Sequence, residues 1–396
     1  MVFRTPSLRS DELSVLQLID ELRADLSQSV AEPRRWNGTL RKMSFARAVQ
    51  GSNSIEGYDA SLDDVLAAVD DQPTLDAGEE TQHAIAGYRD AMTYVLQIAD
   101  DEHLKIDQGL IKGLHFMMIK HDLSKNPGRW RPGSIYVRNE ETQQVVYEGP
   151  DNDLVPSLID EMVEDLASDD DRPVLVNAAM AHLNLVSIHP FSDGNGRMSR
   201  CLQTLVLARD RVVAPVFSSI EEFLGRNTQT YYDVLAEVQR GSWQPQNDAR
   251  PWIRFCLRAH YLQARTVLRR RSEIEALWLA CLELAEKYDL PERTAAALME
   301  AAYGARIRRQ NYRSTIESVT GDGVTDLTAS RDLKAIVETG LFEAVGETRG
   351  RYYLLGNELK KLSDAIREQR PPKGMDDPFD LVRNGRQLSS EGNPSS

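Results

Sequence analysis

The chain has 396 residues, with 47 Lys and Arg against 61 Asp and Glu, for a net charge of −14. At 41% hydrophobic and 27% charged it reads as a soluble globular protein, long enough for two or three domains. The negative balance argues against nucleic acid as the main partner. No apolar run reaches the length of a membrane span, and the first residues lack the apolar core of a signal peptide, so the expected address is the cytoplasm. Three cysteines (Cys201, Cys256, Cys281) without a C-x-x-C pair indicate neither a disulfide framework nor a zinc site.

Ser10-Asp11-Glu12 caps a helix predicted to run to about Leu26, with Leu13, Leu16, Leu18, Ile19 and Leu22 on its apolar face. After a loop from Pro33 to Gly38, a second helix is expected from Arg41 to Glu56, stopped by Gly57 in the left-handed position. That places Glu56 in a last turn, where the helix dipole disfavours an acid. A short helix capped by Ser61 follows, then helices from about Thr81 to Ala99 and from Leu110 to Lys120. His115 and His121 read as ordinary structural or surface histidines. Asn126-Pro127-Gly128 is a turn signal, and Ile135 and Val137 alternate with Tyr136 and Arg138. With a turn over Asn139 to Thr142 and a return over Gln143 to Tyr147, this predicts a hairpin. A helix over Asp151 to Ala167 and an acidic loop from Ser168 to Pro173 complete this part.

Val174 to Ile188 is almost wholly apolar and predicts a helix buried on most of its surface. Pro190 ends it at or just before His189. Gly194 and Gly196 permit a tight turn, and Met198, Cys201, Leu202, Leu205 and Val206 mark one face of the next helix. Arg197 and Arg200 fall in the first turn of that helix, where the dipole opposes cations and free N–H groups favour anions. Two arginines there suit a polyphosphate. Asp193 supplies a hard oxygen ligand of the kind Mg²⁺ takes beside phosphates, and His189 a base titrating near neutral pH. The loop is neither a Walker A sequence nor a dinucleotide fingerprint.

Farther on, a helix carries Tyr231 and Tyr232, and Trp252 to Tyr261 is predicted to close the core. An Arg-rich helix from Arg265 to about Tyr288 leads to a helix over Ala295 to Ala302 and another over Thr325 to Gly340. A hairpin is expected from Phe342–Val345 and Arg351–Leu355, turning at Gly346 to Gly350. Residues 265–370 hold about 18 basic and about 17 acidic side chains, far from the balance of a DNA reader. Beyond about Arg370 the composition predicts disorder.

The stretch His189-Pro190-Phe191-Ser192-Asp193-Gly194-Asn195-Gly196-Arg197-Met198-Ser199-Arg200 resembles the Fic family. All fixed positions of the family signature His-Pro-Phe-x-Asp/Glu-Gly-Asn-Gly/Lys-Arg-x-x-Arg are matched. The resemblance covers roughly residues 40–260 and implies a mainly α fold, a helical Fic core with a β-hairpin flap. The part from about 290 to 356 resembles a winged helix. The expected division is an N-terminal helical region (1–105, with an inhibitory helix at 41–57), a catalytic core (106–260), a linker helix (261–290), a winged helix (291–370) and a disordered tail (371–396).

The activity implied is that of a protein adenylyltransferase, moving AMP from ATP to a Ser, Thr or Tyr hydroxyl with release of pyrophosphate. By resemblance His189 is the general base and Asp193 the Mg²⁺ ligand. Phe191, Gly194, Asn195, Gly196, Arg197 and Arg200 bind ATP, and Tyr232 and Gln239 flank the adenine. Gln239 departs from the asparagine that many relatives carry. Ser52-Asn53-Ser54-Ile55-Glu56-Gly57 resembles the family's inhibitory motif Ser/Thr-x-x-x-Glu-Gly/Asn. That implies a set of Ser52, Glu56 and Gly57 that keeps Arg200 from the γ-phosphate. The partners implied are ATP, a target protein held by the flap as an added strand, and the chain itself. DNA and a homodimer stay open, as do two alternatives: an ATP-sensing DNA-binding regulator, and a de-AMPylase in which Glu56 orients water.

Overall fold

The computed structural model describes residues 1–31, 34–72, 76–139, 142–168, 171–209, 214–347, 350–369 and 376–385. It is mainly helical. In chain order the N-terminal part holds α1 (Ser10–Ala31), α2 (Asn37–Ser54), α3 (Leu62–Val69), α4 (Glu79–Ile98) and α5 (Gln108–Ile119). Strands β1 (Tyr136–Arg138) and β2 (Val145–Glu148) follow, then α6 (Val155–Ala167), α7 (Val174–Ile188), α8 (Asn195–Ala208), α9 (Pro215–Ser218), α10 (Glu221–Arg226) and α11 (Thr228–Gln239). The last part contains α12 (Arg250–Lys287), α13 (Thr294–Ala302), α14 (Arg309–Thr320), α15 (Asp326–Glu338), β3 (Phe342–Val345), β4 (Tyr352–Leu355), α16 (Asn357–Glu368) and α17 (Pro378–Arg383).

The apolar run of α7 is buried from Leu175 to Ile188 except at Asn177, and the helix packs along α8. Around this pair stand α4, α5, α6 and α12. Helix α2 is buried on most of its length and lies against α10, where glycines let the two backbones nearly touch. A Cβ on Gly51 would come within 2.5 Å of Glu221 O, and one on Gly225 within 2.6 Å of Gly51 Cα. The hairpin β1–β2 is antiparallel, with Val137 opposite Tyr147 and an irregularity after Val137. It is anchored by Tyr147, which is buried and donates its hydroxyl proton to Ser187 O at 2.5 Å.

Three expectations change. The second helix starts earlier and stops at Ser54, so Glu56 lies in the turn after it and not in its last turn; Gly57 has φ +78° as a helix stop requires. The segments predicted as Trp252–Tyr261 and Arg265–Tyr288 are one helix of 38 residues, α12, because no Gly or Pro separates them. The tail is not wholly disordered: α17 docks on α1 and α12, with Phe379 buried under the Arg254 guanidinium (3.7 Å to the ring centre) and Asp377 paired with Arg258. The rest of the tail call, at 371–375 and 386–396, lies outside the described residues, as do 140–141, 169–170 and 348–349 in the predicted turns and loop.

Candidate functional site

Helix α7 ends at His189, whose φ of 51° puts it in the left-handed region, and Pro190 prevents further helix. The imidazole Nδ1 lies 3.0 Å from Val186 O. A carbonyl only accepts, so Nδ1 carries the proton and Nε2 presents a bare lone pair. Burial lowers the pKa of His189; the bond to Val186 O and the charge of Glu56 oppose that, and the net shift is downward. At pH 7 the ring is neutral and able to accept a proton.

The loop after it is shaped from inside. Asn195 Oδ1 accepts from Phe191 N at 2.9 Å and its Nδ2 donates to Phe191 O at 2.8 Å, which uses both ends of the amide on the backbone. The Phe191 ring is buried and stacks on His115, with centroids 3.7 Å apart and planes 4° apart. His115 Nδ1 accepts from Gly128 N (2.9 Å), so its Nε2–H donates to Asp193 O (3.0 Å). Arg131, also buried, donates from its backbone N to Pro190 O and from Nε to His189 O, each at 2.9 Å. His115 and Arg131 are the functional positions that pattern reading missed. A lone histidine on a helix and an arginine before a hairpin carry no local sign that they brace a loop 58 to 78 residues away.

Gly194, at φ 74°, opens α8. Asp193 accepts from Gly194 N through Oδ1 (2.7 Å), and its Oδ2 lies 3.8 Å from Lys125 Nζ. Asp193, Arg197, Lys125, His83, His121 and Tyr58 line a cavity of about 430 Å³. Arg197 is buried over the Tyr58 ring (5.0 Å), and its Nε and Nη1 have no hydrogen-bond partner among the described residues. Such orphaned donors suit an anion.

Arg200 is completely buried. Its Nε donates to Ser52 Oγ (2.7 Å), and its Nη2 to Ser52 O (2.9 Å) and Glu56 Oε1 (2.7 Å). Burial by itself would lower the pKa of this guanidinium, but the charge of Glu56 leads the groups that outweigh it, and the net shift is upward. The same Glu56 oxygen lies so close over Gly196 that a Cβ there would overlap it. Glu56 therefore lies against the start of α8, on Gly196 and Arg200, where the helix dipole favours an anion. Tyr232 is half-exposed and donates its hydroxyl proton to Ile55 O at 3.0 Å. Gln239 is buried, donating to Ser187 Oγ at 2.9 Å. The structure thus gathers Ser52, Glu56, His189, Asp193, Arg197 and Arg200 around one loop, with Tyr232 at its edge and Gln239 bonded two residues before His189.

Among the described residues no group of three or more His, Cys, Asp or Glu side chains could hold a metal ion. Glu79, Glu80 and Asp122 also line the cavity, but Asp193 is the carboxylate on the loop, and it fits Mg²⁺ only as that ion is usually bound beside nucleotides, with phosphate and water oxygens as the other ligands.

Two long helices joined by a glycine turn that seats an anion, with a histidine at its entrance, define the class. Residues 105–207 match the model of the Fic/DOC family. The chain is similar to the protein adenylyltransferase Fic of Nematostella vectensis, at 26% identity over 265 residues, covering 64% of this chain and 55% of the relative. It is similar to that of Aedes aegypti at 28% over 239 residues, covering 60% and 44%. The chain therefore spans about half the length of the curated relatives it matches. A crystal structure of a Fic family protein from Desulfovibrio desulfuricans G20 shares the fold, with a TM-score of 0.57 at 22% identity over 90% of this chain and 99% of that one. No helix among the described residues is long and apolar enough to cross a membrane.

Proposed function

We propose that the chain is a protein adenylyltransferase that moves AMP from ATP to a protein hydroxyl and is held inactive by Glu56. One observation carries the reading: a carboxylate occupies the anion seat formed by Gly196 and Arg200, in the loop that opens with the neutral base His189. The names of the Nematostella and Aedes relatives support it. In this reading Nε2 of His189 takes the proton of the target Ser, Thr or Tyr, and the oxygen attacks the α-phosphorus of ATP. The bond to the β-phosphate breaks and pyrophosphate leaves. Arg197 and Arg200 hold the β- and γ-phosphates, which positions the α-phosphorus and stabilises the departing charge. Asp193 would hold Mg²⁺ against the phosphates, where the ion supplies charge neutralisation. Asn195 and Phe191 serve by shaping the loop, since the Asn195 amide is spent on Phe191. Tyr232 flanks the base, and Gln239 lies behind it against α7.

For the C-terminal part we infer a winged helix. Support comes from the order α13, α14, α15, β3, β4 and from Ile307, which pairs with Tyr353 beside β4. A protein-contact role is favoured over DNA, because Arg309 and Arg313 pair with Asp326, and Lys334 with Glu338.

The test is adenylyl incorporation from ATP labelled at the α-phosphate, with Mg²⁺, with and without lysate, read by gel and intact mass. Wild type, Glu56→Gly and Glu56→Gly/His189→Ala are compared. Glu56→Gly should exceed wild type by about tenfold or more, corresponding to roughly 1.4 kcal/mol per decade. His189→Ala in that background should lower transfer by about 10²–10⁴ and leave ATP binding intact by calorimetry. Absence of adenylyl product with Glu56→Gly would overturn the reading, and release of AMP from modified protein would reverse its direction.

A further inference from the structure

Glu56 sits in a single turn, Ile55 to Tyr58, that follows α2. Within the turn Glu56 N and Tyr58 N both donate to Asn53 O (3.0 and 3.1 Å) and Gly57 N to Ser54 O (3.1 Å). Helix α2 itself cannot swing away cheaply: Thr39, Leu40, Met43, Ala46, Val49 and Ser52 are all buried. An opening that uncovers Arg200 is therefore confined to the turn. Besides the Arg200 bond to Glu56 and the burial of the Ile55 side chain, two contacts from outside α2 fasten that turn. The Tyr232 hydroxyl, on α11, donates to Ile55 O at 3.0 Å. On the other side the Arg197 guanidinium lies 5.0 Å from the centre of the Tyr58 ring.

Both fastenings use a group that the adenylyltransferase reading gives to the nucleotide, Tyr232 to the base and Arg197 to the phosphates. We infer that Tyr232 is a positioning residue for Glu56: its hydroxyl latches Ile55 and so holds the Glu56 carboxylate over Gly196 and Arg200, with the Tyr58–Arg197 stack as the second latch. A nucleotide that engages the Tyr232 ring and the Arg197 donors draws on both latches. Base and phosphate binding then loosen the turn that blocks transfer. This goes beyond the Glu56–Arg200 pair, because it assigns the stability of the blocked state to residues outside the inhibitory segment.

Tyr232→Phe separates the latch from the base contact, since the ring stays and only the hydroxyl goes. The inference rests on the adenylyltransferase reading, so Glu56→Gly is the internal control. Self-incorporation from labelled ATP is measured for wild type, Tyr232→Phe, Glu56→Gly and the double variant, with hydrogen exchange of the amides of residues 54–58 as an activity-independent readout. Losing one neutral hydrogen bond should shift the closed–open balance by about fivefold. Tyr232→Phe should thus raise incorporation about fivefold over wild type at subsaturating ATP, with a lower KM for ATP, because a loosened turn competes less with the nucleotide. It should lower protection of the 54–58 amides, and its effect relative to its parent should be about fivefold less favourable in the Glu56→Gly background than in the wild-type one. Tyr58→Leu should act in the same direction. Equal losses in both backgrounds, or wild-type exchange at 54–58 in Tyr232→Phe, would overturn the latch. If Glu56→Gly itself transfers nothing, the activity reading fails and the exchange result alone decides the latch.

Discussion

Gly128 N–H reaches His115 at Nδ1, and that one bond dictates the tautomer: Nε2 carries the proton and hands it to Asp193 O. Protonating His115 would turn Nδ1 into a donor facing a donor and break the brace between the turn at Gly128 and the loop. Burial keeps this from happening, lowering the pKa to about 4 from an ordinary 6.5. The folded pKa is depressed, so between pH 6.5 and 4 the unfolded chain binds a proton that the folded one refuses. The contribution of His115 to stability is complete above about pH 6.5 and is lost as pH falls towards 4. His115→Gln can still donate and accept but does not titrate. Urea unfolding from pH 7 to 4.5 should show wild type losing stability relative to His115→Gln by up to about 1.4 kcal/mol per pH unit. Parallel pH curves would contradict this.

The element that brings Ser52 and the Glu56 turn to Arg200 is α2, and its placement depends on glycine. Gly51 on α2 and Gly225 on α10 stand at the closest approach of the two helices, with backbone atoms of the partner where side chains would be. Gly51→Ala forces a methyl against Glu221 O, which cannot rotate away as a side-chain tip would. Overpacking of this kind should cost about 1–3 kcal/mol, measured as a lower urea midpoint at unchanged m-value. A neutral substitution would show that α2 can shift along α10 without loss. Neighbouring Ser52 holds Arg200 through two bonds, so this packing bears directly on the site. Helix α7 acts differently: its apolar run sets where it lies, and the left-handed backbone of His189 at its end aims the imidazole.

At the scale of the molecule, the C-terminal part grips the N-terminal helices. Lys42 on α2 pairs with Asp70 (2.7 Å) and with Glu300 on α13 (3.6 Å), and Glu300 also accepts from Thr315 Oγ1 (2.7 Å). Arg306 and Arg308 meet Asp63, and Arg306 also pairs with Asp76. Burial raises the pKa of Glu300, and Lys42 is the leading group opposing that rise. Lys42→Met removes the cation and leaves that buried carboxylate uncompensated, a loss worth about 3 kcal/mol. Lys42→Met/Glu300→Gln should recover most of it, because the stranded charge is gone. Additive losses in this cycle, by urea unfolding, would mean that the two side chains do not act as a pair across the junction.

The apolar run of α7, the proline after His189 and the glycines at 194 and 196 are local signals, since each constrains the backbone within a few residues of itself. The helix–turn–helix of the site, the hairpin and the mostly helical character were therefore legible in the amino-acid order. An acid expected in the last turn of one helix and arginines expected in the first turn of another were legible too, as two charges each in need of a partner, although Glu56 lies in the turn after its helix. That Glu56 lies on Gly196 as well as on Arg200, 144 residues away, was not. Neither was the brace of His115 and Arg131 on the loop, the turning of the Asn195 amide inward to Phe191, the bond from Tyr232 to Ile55, or the docking of Phe379 beneath Arg254. Each of these depends on which faces meet when helices pack, and packing is decided by shape and burial summed over the whole chain. A pattern of neighbouring residues carries no record of that sum.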